Sequence, residues 1–155
     1  MALITLGANS GKGKVLQVVQ SANNTSSQAT SSTSYVSAGS TATITPSSSS
    51  NKIFAIVSYD SDLDVQNTVH YVTLYRGATN VGLVTSADSG NTALARVHDV
   101  SAGRYLFRQV LQVLDTPNTT SATTYTLYHK VTQGSNARIR NDLMRAQITL
   151  MEVSA

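Results

Sequence analysis

Cysteine and tryptophan are absent from the 155 residues, glutamate occurs once, at Glu152, and proline twice, at Pro46 and Pro117. Without cysteine there can be no disulfide framework, zinc ribbon or thiol nucleophile. Without tryptophan the usual best platform for stacking on a sugar ring is missing. Charged residues make up 12% of the chain, about half the usual share. No apolar run approaches the ~18 residues that a membrane span needs, and Met1 to Leu6 is too short for the core of a signal peptide. The chain is therefore expected to be soluble, with no membrane partner, and to begin at Met1 when mature. The formal charge is +3, and no acidic residue precedes Asp60, so the whole excess comes from Lys12, Lys14 and Lys52. Three scattered lysines are too thin a patch for nucleic acid. The pI of 9.3 reflects scarcity of acids instead.

What fills the gap is serine and threonine, 41 residues together. β-Branched threonine suits a half-buried pleated surface and serine suits turns, which points to an all-β protein. Val15–Val19 reads as a mostly buried strand. Ser34–Val36 and Thr41–Thr45 alternate at period two, and Pro46 with four serines ends the second run. Ile53–Val57 is apolar throughout, and His70–Arg76 alternates cleanly before a turn at Gly77–Asn80 into Val81–Val84. Further strands are expected at Ala93–Val97, Tyr105–Leu114, Thr123–Val131 and Gln147–Val153, with one helical turn at Asn141–Gln147. In Tyr105–Leu114 the residues Leu106, Arg108, Val110, Gln112 and Leu114 should face one way and Tyr105, Phe107, Gln109, Leu111 and Val113 the other. Long polar connections are expected at Ser21–Thr30 and Thr85–Thr92. These short strands predict a jelly-roll-like antiparallel β-sandwich over residues 14–155, preceded by a short extended N-terminal arm, residues 1–13.

The sharpest polar constellation is Asp60, Asp62 and Asp64, three carboxylates on one side of a strand, as a hard cation such as calcium requires. The calcium-loop pattern fails downstream, where Val65 stands in place of glycine and Tyr71 in place of a bidentate glutamate, so a solvated strand end is the cheaper reading. Gly7–Lys12 falls one residue short of a phosphate-binding loop and ends on Gly13 where a serine or threonine belongs. His70, His98 and His129 have no nucleophile elbow and no metal-ligand spacing, which favours packed roles over catalysis. Glu152 lacks a second glutamate for glycoside hydrolysis. These residues predict no enzyme and no cofactor. The seven tyrosines, Tyr35, Tyr59, Tyr71, Tyr75, Tyr105, Tyr125 and Tyr128, favour sheet packing, with sugar binding as the functional alternative. Asn23–Thr25 and Asn118–Thr120 match the glycosylation pattern, as Ser/Thr/Asn-rich chains do by chance.

Gly13–Val19, Ser32–Val36, Thr43–Ser47, Leu74–Gly77, Leu114–Pro117, Thr120–Tyr125 and Ile148–Val153, in that order, resemble a β-domain of virion proteins from tailed phages of aquatic bacteria. The resemblance covers nearly all of residues 13–155 and rests on the order of short, low-complexity motifs. It implies a virion location, no catalytic residues and homotrimers. About 13 residues before the domain leave no room for a fibre shaft, at ~3.4 Å per residue. The favoured expectation is thus a trimeric capsid-decorating or cement protein attached to the major capsid protein or another virion protein. In it Leu3, Ile4 and Leu6 supply apolar docking contacts, and Lys12 and Lys14 favour an acidic shell. The alternative is a tail-fibre or receptor-binding tip recognising a host-surface glycan. For the trimer interface the sequence suggests Tyr71, Leu74, Phe107, Leu111 and Val113, which lie in strands apolar on more positions than one sheet face needs.

Overall fold

The computed structural model describes residues 14–22, 26–64, 66–82, 93–99, 103–132, 136–143 and 145–155. The whole arm, residues 1–13, and the whole of Thr85–Thr92 lie outside the described residues. The strands are β1 (Val15–Ala22), β2 (Gln28–Thr30), β3 (Val36–Ile44), β4 (Lys52–Leu63), β5 (Val69–Arg76), β6 (Thr79–Asn80), β7 (Ala95–His98), β8 (Tyr105–Asp115), β9 (Thr123–Val131), β10 (Ala137–Ile139) and β11 (Gln147–Val153).

With the short β2, β6 and β10 set aside, first pairs with last (β1–β11), second with seventh (β3–β9), third with sixth (β4–β8) and fourth with fifth (β5–β7), all antiparallel. The further pairs β11–β4 and β9–β5 complete two sheets, ordered β1-β11-β4-β8 and β3-β9-β5-β7. This is the double Greek key of a jelly roll, and the expected architecture is the observed one. Strand alternation builds its core. Along β9, Thr123, Tyr125, Leu127, His129 and Val131 are buried and the residues between them face outward. From the opposite sheet Ile53, Ala55, Val57 and Tyr59 of β4 and Ile148 and Leu150 of β11 pack into the same cluster.

Several local expectations change for identifiable reasons. Val36, the end of the first run, and Thr41–Ile44 of the second belong to one strand, β3, joined by an irregularity between Ser37 and Thr41 where Gly39 adopts a φ of 73° that other residues resist. The strand begun by Ile53–Val57 runs on to Leu63, because Asp60, Ser61 and Asp62 find partners there. The polar connection Ser21–Thr30 contains the end of β1 and all of β2. Strand pairing stops at Asn80, short of the expected Val81–Val84, of which Leu83 and Val84 lie outside the described residues. No helix occurs among the described residues. Asn141–Leu143 instead form a turn, Asn141 Oδ1 accepts the Ala146 N–H at 3.2 Å, and Ala146, Ile148 and Leu150 bury at period two.

The residues suggested for a trimer interface are mostly internal. Tyr71, Leu74 and Leu111 are buried within a single chain and Val113 packs against the core, leaving only Phe107 well exposed. The odd-numbered side of β8 is the inner side, and its partner is the other sheet of the same molecule. Apart from Phe107, the apolar surface of β8 that reaches solvent lies on the even-numbered side, at Leu106, Val110 and Leu114.

Candidate functional site

The sequence candidates converge on two polar assemblies, one at the end of β4 and one inside the sandwich. Asp60, Asp62 and Asp64 do project from one side of β4, but arginines occupy that side with them. In the β4–β8 register Asp60 lies opposite Arg108, whose Nη1 approaches Asp60 Oδ1 at 3.2 Å. In the β4–β10 register Asp62 lies opposite Arg138. The fully buried Asp62 carboxylate accepts from Arg104 Nε at 2.8 Å, Arg104 Nη2 at 2.5 Å and Arg140 Nη1 at 2.9 Å. Arg138 Nη1 reaches Asp64 at 2.7 Å and Arg140 Nη2 reaches Asp142 at 2.7 Å. Four guanidinium groups thus neutralise four carboxylates, and cross-strand opposite charges remove the repulsion expected of three aspartates alone. The calcium reading is replaced by this lattice, and so is the solvated strand end, since Asp60 and Asp62 are buried. No cluster of three or more His, Asp or Glu side chains suited to a metal occurs among the described residues. The sequence hinted at the answer in its balance of 8 acidic and 8 basic residues after residue 59.

His70 and His129 come together, and His98 stands apart, exposed on β7. His70 Nδ1 is 3.0 Å from Ser61 Oγ and His70 Nε2 is 3.1 Å from His129 Nδ1, so a serine of one sheet and two histidines of the other form a continuous chain. All three are fully buried, and His129 Nε2 has no hydrogen-bond partner among the described residues. Burial lowers the pKa of His70 to about 3, with the neighbouring imidazole adding to the effect, and burial lowers that of His129 to about 4. Both rings are therefore neutral at pH 7. The chain can hold the sheets in register, but no substrate reaches the serine.

Glu152 is buried at the opposite end of β4 from the arginines. Its Oε1 accepts from Ser47 N at 2.7 Å, Ser47 Oγ at 2.7 Å and Asn51 Nδ2 at 2.6 Å, and its Oε2 from Gln17 Nε2 at 2.6 Å. Burial pushes this carboxyl up, yet hydrogen bonds from Asn51, Gln17 and Ser47 outweigh it and hold the pKa at about 2. The site is a structural anchor joining β1, β11 and the turn before β4. Asp115 plays a similar part between the sheets, accepting from Arg76 Nε and from the Tyr125 hydroxyl, each at 2.7 Å.

On the outer side of the β3-β9-β5-β7 sheet, Tyr75 packs against Tyr128 at 4.2 Å between centroids with the rings tilted by 31° and meets Tyr35 at 5.9 Å, while Lys130 Nζ lies 4.8 Å from the Tyr35 ring centre. Of the proposed docking residues, Leu3, Ile4, Leu6 and Lys12 lie outside the described residues, as does the loop Gly7–Lys12. Lys14 is exposed, and its backbone clamps to the end of the chain, donating to Ser154 Oγ at 3.1 Å and accepting from Ser154 N at 2.9 Å. Asn118 is exposed in the turn between β8 and β9, and Asn23–Thr25 lies outside the described residues.

The strand pairing and inward-turned polar groups define a jelly-roll β-sandwich. Among solved structures the fold is similar to a chain in the structure of infectious bursal disease virus, Gt strain, with a TM-score of 0.52 and 13% identity over 100% of this chain and 43% of that one. A chain from the Gx strain of the same virus gives a TM-score of 0.44 and 12% identity over 100% of this chain and 41% of that one. This protein thus spans less than half the length of either. No family model and no curated protein matches the sequence. At such identity the likeness concerns the fold, and the resemblance to tailed-phage proteins rests on the sequence motifs alone.

Proposed function

We propose that this protein is a non-enzymatic structural component of a virion, a decorating or cementing subunit seated directly on the particle through residues 1–13. The observation that carries the reading is the complete jelly-roll pairing, an architecture used by viral capsid domains. Fold alone does not dictate function. The likeness to a chain of infectious bursal disease virus and the sequence resemblance to phage virion domains support the same reading from separate directions. The chemistry adds to it: the Asp62 carboxylate is engaged with Arg104 and Arg140, and Ser61, His70 and His129 are engaged with one another inside the fold. Deleting residues 1–12 and measuring occupancy on purified particles tests the docking arm, with undiminished binding counting against it. Copy number per particle tests the location, since hundreds fit the shell and a few to a few tens fit the tail. The expected assembly is a homotrimer, with a mass near three times 16.4 kDa.

The second reading, a receptor-binding tip, draws on the tyrosine cluster with Lys130, whose aromatic faces and hydroxyls suit a sugar. Specific binding of the purified protein to host-surface glycans, abolished by Tyr75→Ala or Tyr128→Ala, would favour it.

A further inference from the structure

The two outer faces of the sandwich differ in chemistry. On the β3-β9-β5-β7 sheet, the exposed outward positions of β3 and β9 include Thr41, Thr43 and Thr124, with the Thr43 and Thr124 hydroxyls 2.8 Å apart. On the other sheet the register sets Val18, Met151, Phe54 and Leu114 side by side across β1, β11, β4 and β8. Ile56 and Val110 adjoin this row, facing the same way. Val18 is 57%, Leu114 54% and Val110 66% exposed, and the other three are half-buried. A solvated face of an antiparallel sheet ordinarily carries polar residues at its outward positions. Here the inward positions already form the core, so the outward row is apolar surface that the described residues leave uncovered.

We propose that this face packs against further copies of the same chain. Charge favours a copy as the occupant. The positions among and beside the row, Gln20, Thr149, Gln112 and Ser58, are neutral, Lys52 sits at the rim, and Arg108 is held by Asp60 at 3.2 Å and by Ser58 at 3.0 Å. A face without free charge meets its own copy without repulsion, whereas charged faces of a chain with net charge +3 would oppose each other. Area favours it too. Four strands at ~4.8 Å spacing, over the seven residues shared by β4 and β11, make roughly 450 Å² in projection, and more in accessible area because side chains stand in relief. That is a little over half of the ~800 Å² per partner of a stable interface before the relief of the side chains is counted. The face also ends at β8, which pairs only with β4 among the described strands and carries neither proline nor lysine to guard its free edge.

The absence of native cysteine makes the test clean. Val110→Cys places a single thiol on the face, and Thr43→Cys places one on the opposite, polar face. Under mild oxidation Val110→Cys should form covalent dimers at least tenfold faster than Thr43→Cys. In sedimentation at micromolar concentration the wild type should run at a multiple of 16.4 kDa, and Val110→Lys/Leu114→Lys should return it to a single-chain mass with an unchanged strand signal in circular dichroism. A monomeric wild type, an assembly that survives the double lysine variant, or equal cross-linking at both thiols would overturn the proposal. None of these readouts depends on particle attachment, so the virion reading stands or falls separately.

Discussion

His70 and His129, neighbours across β5 and β9, share a hydrogen bond of 3.1 Å between Nε2 and Nδ1 in the interior, and Ser61 of the facing sheet holds the other nitrogen of His70 at 3.0 Å. Two imidazoles so placed are packing elements that happen to titrate.

Their titration predicts acid lability. Both rings are neutral in the fold, with pKa values lowered to about 3 and about 4, while in the unfolded chain they take up protons below about 6.5. Their contribution is therefore full above about pH 6.5, falls below that as the unfolded chain takes up protons that the fold does not, and is wholly lost once the pH has passed about 4 and about 3. With two protons taken up on unfolding, the slope reaches ~3 kcal/mol per pH unit. Urea midpoints measured from about pH 7.5 down to about pH 4.5 should fall steadily, and a flat profile would rule the effect out.

Glu152 acts in a lower window. Its pKa is depressed from 4.5 to about 2, so its contribution is present above about 4.5 and disappears as pH falls through about 2. Glu152→Gln turns one acceptor into a donor facing Ser47, Asn51 or Gln17 and removes the charge. The expected cost at pH 7 is ~2–4 kcal/mol, a fall in Tm of roughly 4–15 °C. The gap between variant and wild type should narrow toward about pH 2, and a constant gap would show that packing, not charge, is responsible.

Asp62→Ala leaves Arg104, Arg138 and Arg140 facing one another around an emptied position. Removing one side of a buried ionic cluster is expected to cost ~3 kcal/mol, moderated because Arg104 retains contact with solvent. Calcium at millimolar concentration should leave the Tm of the wild type unchanged, since guanidinium groups already hold the carboxylates. A rise of several degrees would assign the site to an ion after all.

Gly82 is a steric requirement. A methyl group there would run into Thr73 Oγ1 and the Leu94 side chain, both packed against the strand-to-loop exit after β6. Gly82→Ala should destabilise by ~1–3 kcal/mol, read as a lower denaturation midpoint at unchanged slope, whereas Gly77→Ala meets no atom within 4 Å and suffers only from its φ of 54°. A Gly82→Ala midpoint equal to the wild type would contradict the packing.

The class of fold was legible in the order of residues, because period-two alternation is a local property: Thr123–Val131 and the two sides of Tyr105–Leu114 read directly as strands with an inner and an outer face. The composition showed the absence of cysteine chemistry as well. Tertiary structure alone decided partners. Glu152 is held by residues 101 to 135 positions away, and nothing in the sequence around Gln17, Ser47 or Asn51 announces it. The aspartates found arginines rather than an ion because β8 and β10 flank β4 on its two sides, a consequence of the jelly-roll order. Tyr71, Leu74 and Leu111 looked like surplus apolar surface from their strands alone. Which side of a strand is covered depends on which sheet it joins, and only the folded chain shows that the surplus sits at Val18, Phe54, Val110 and Leu114 instead.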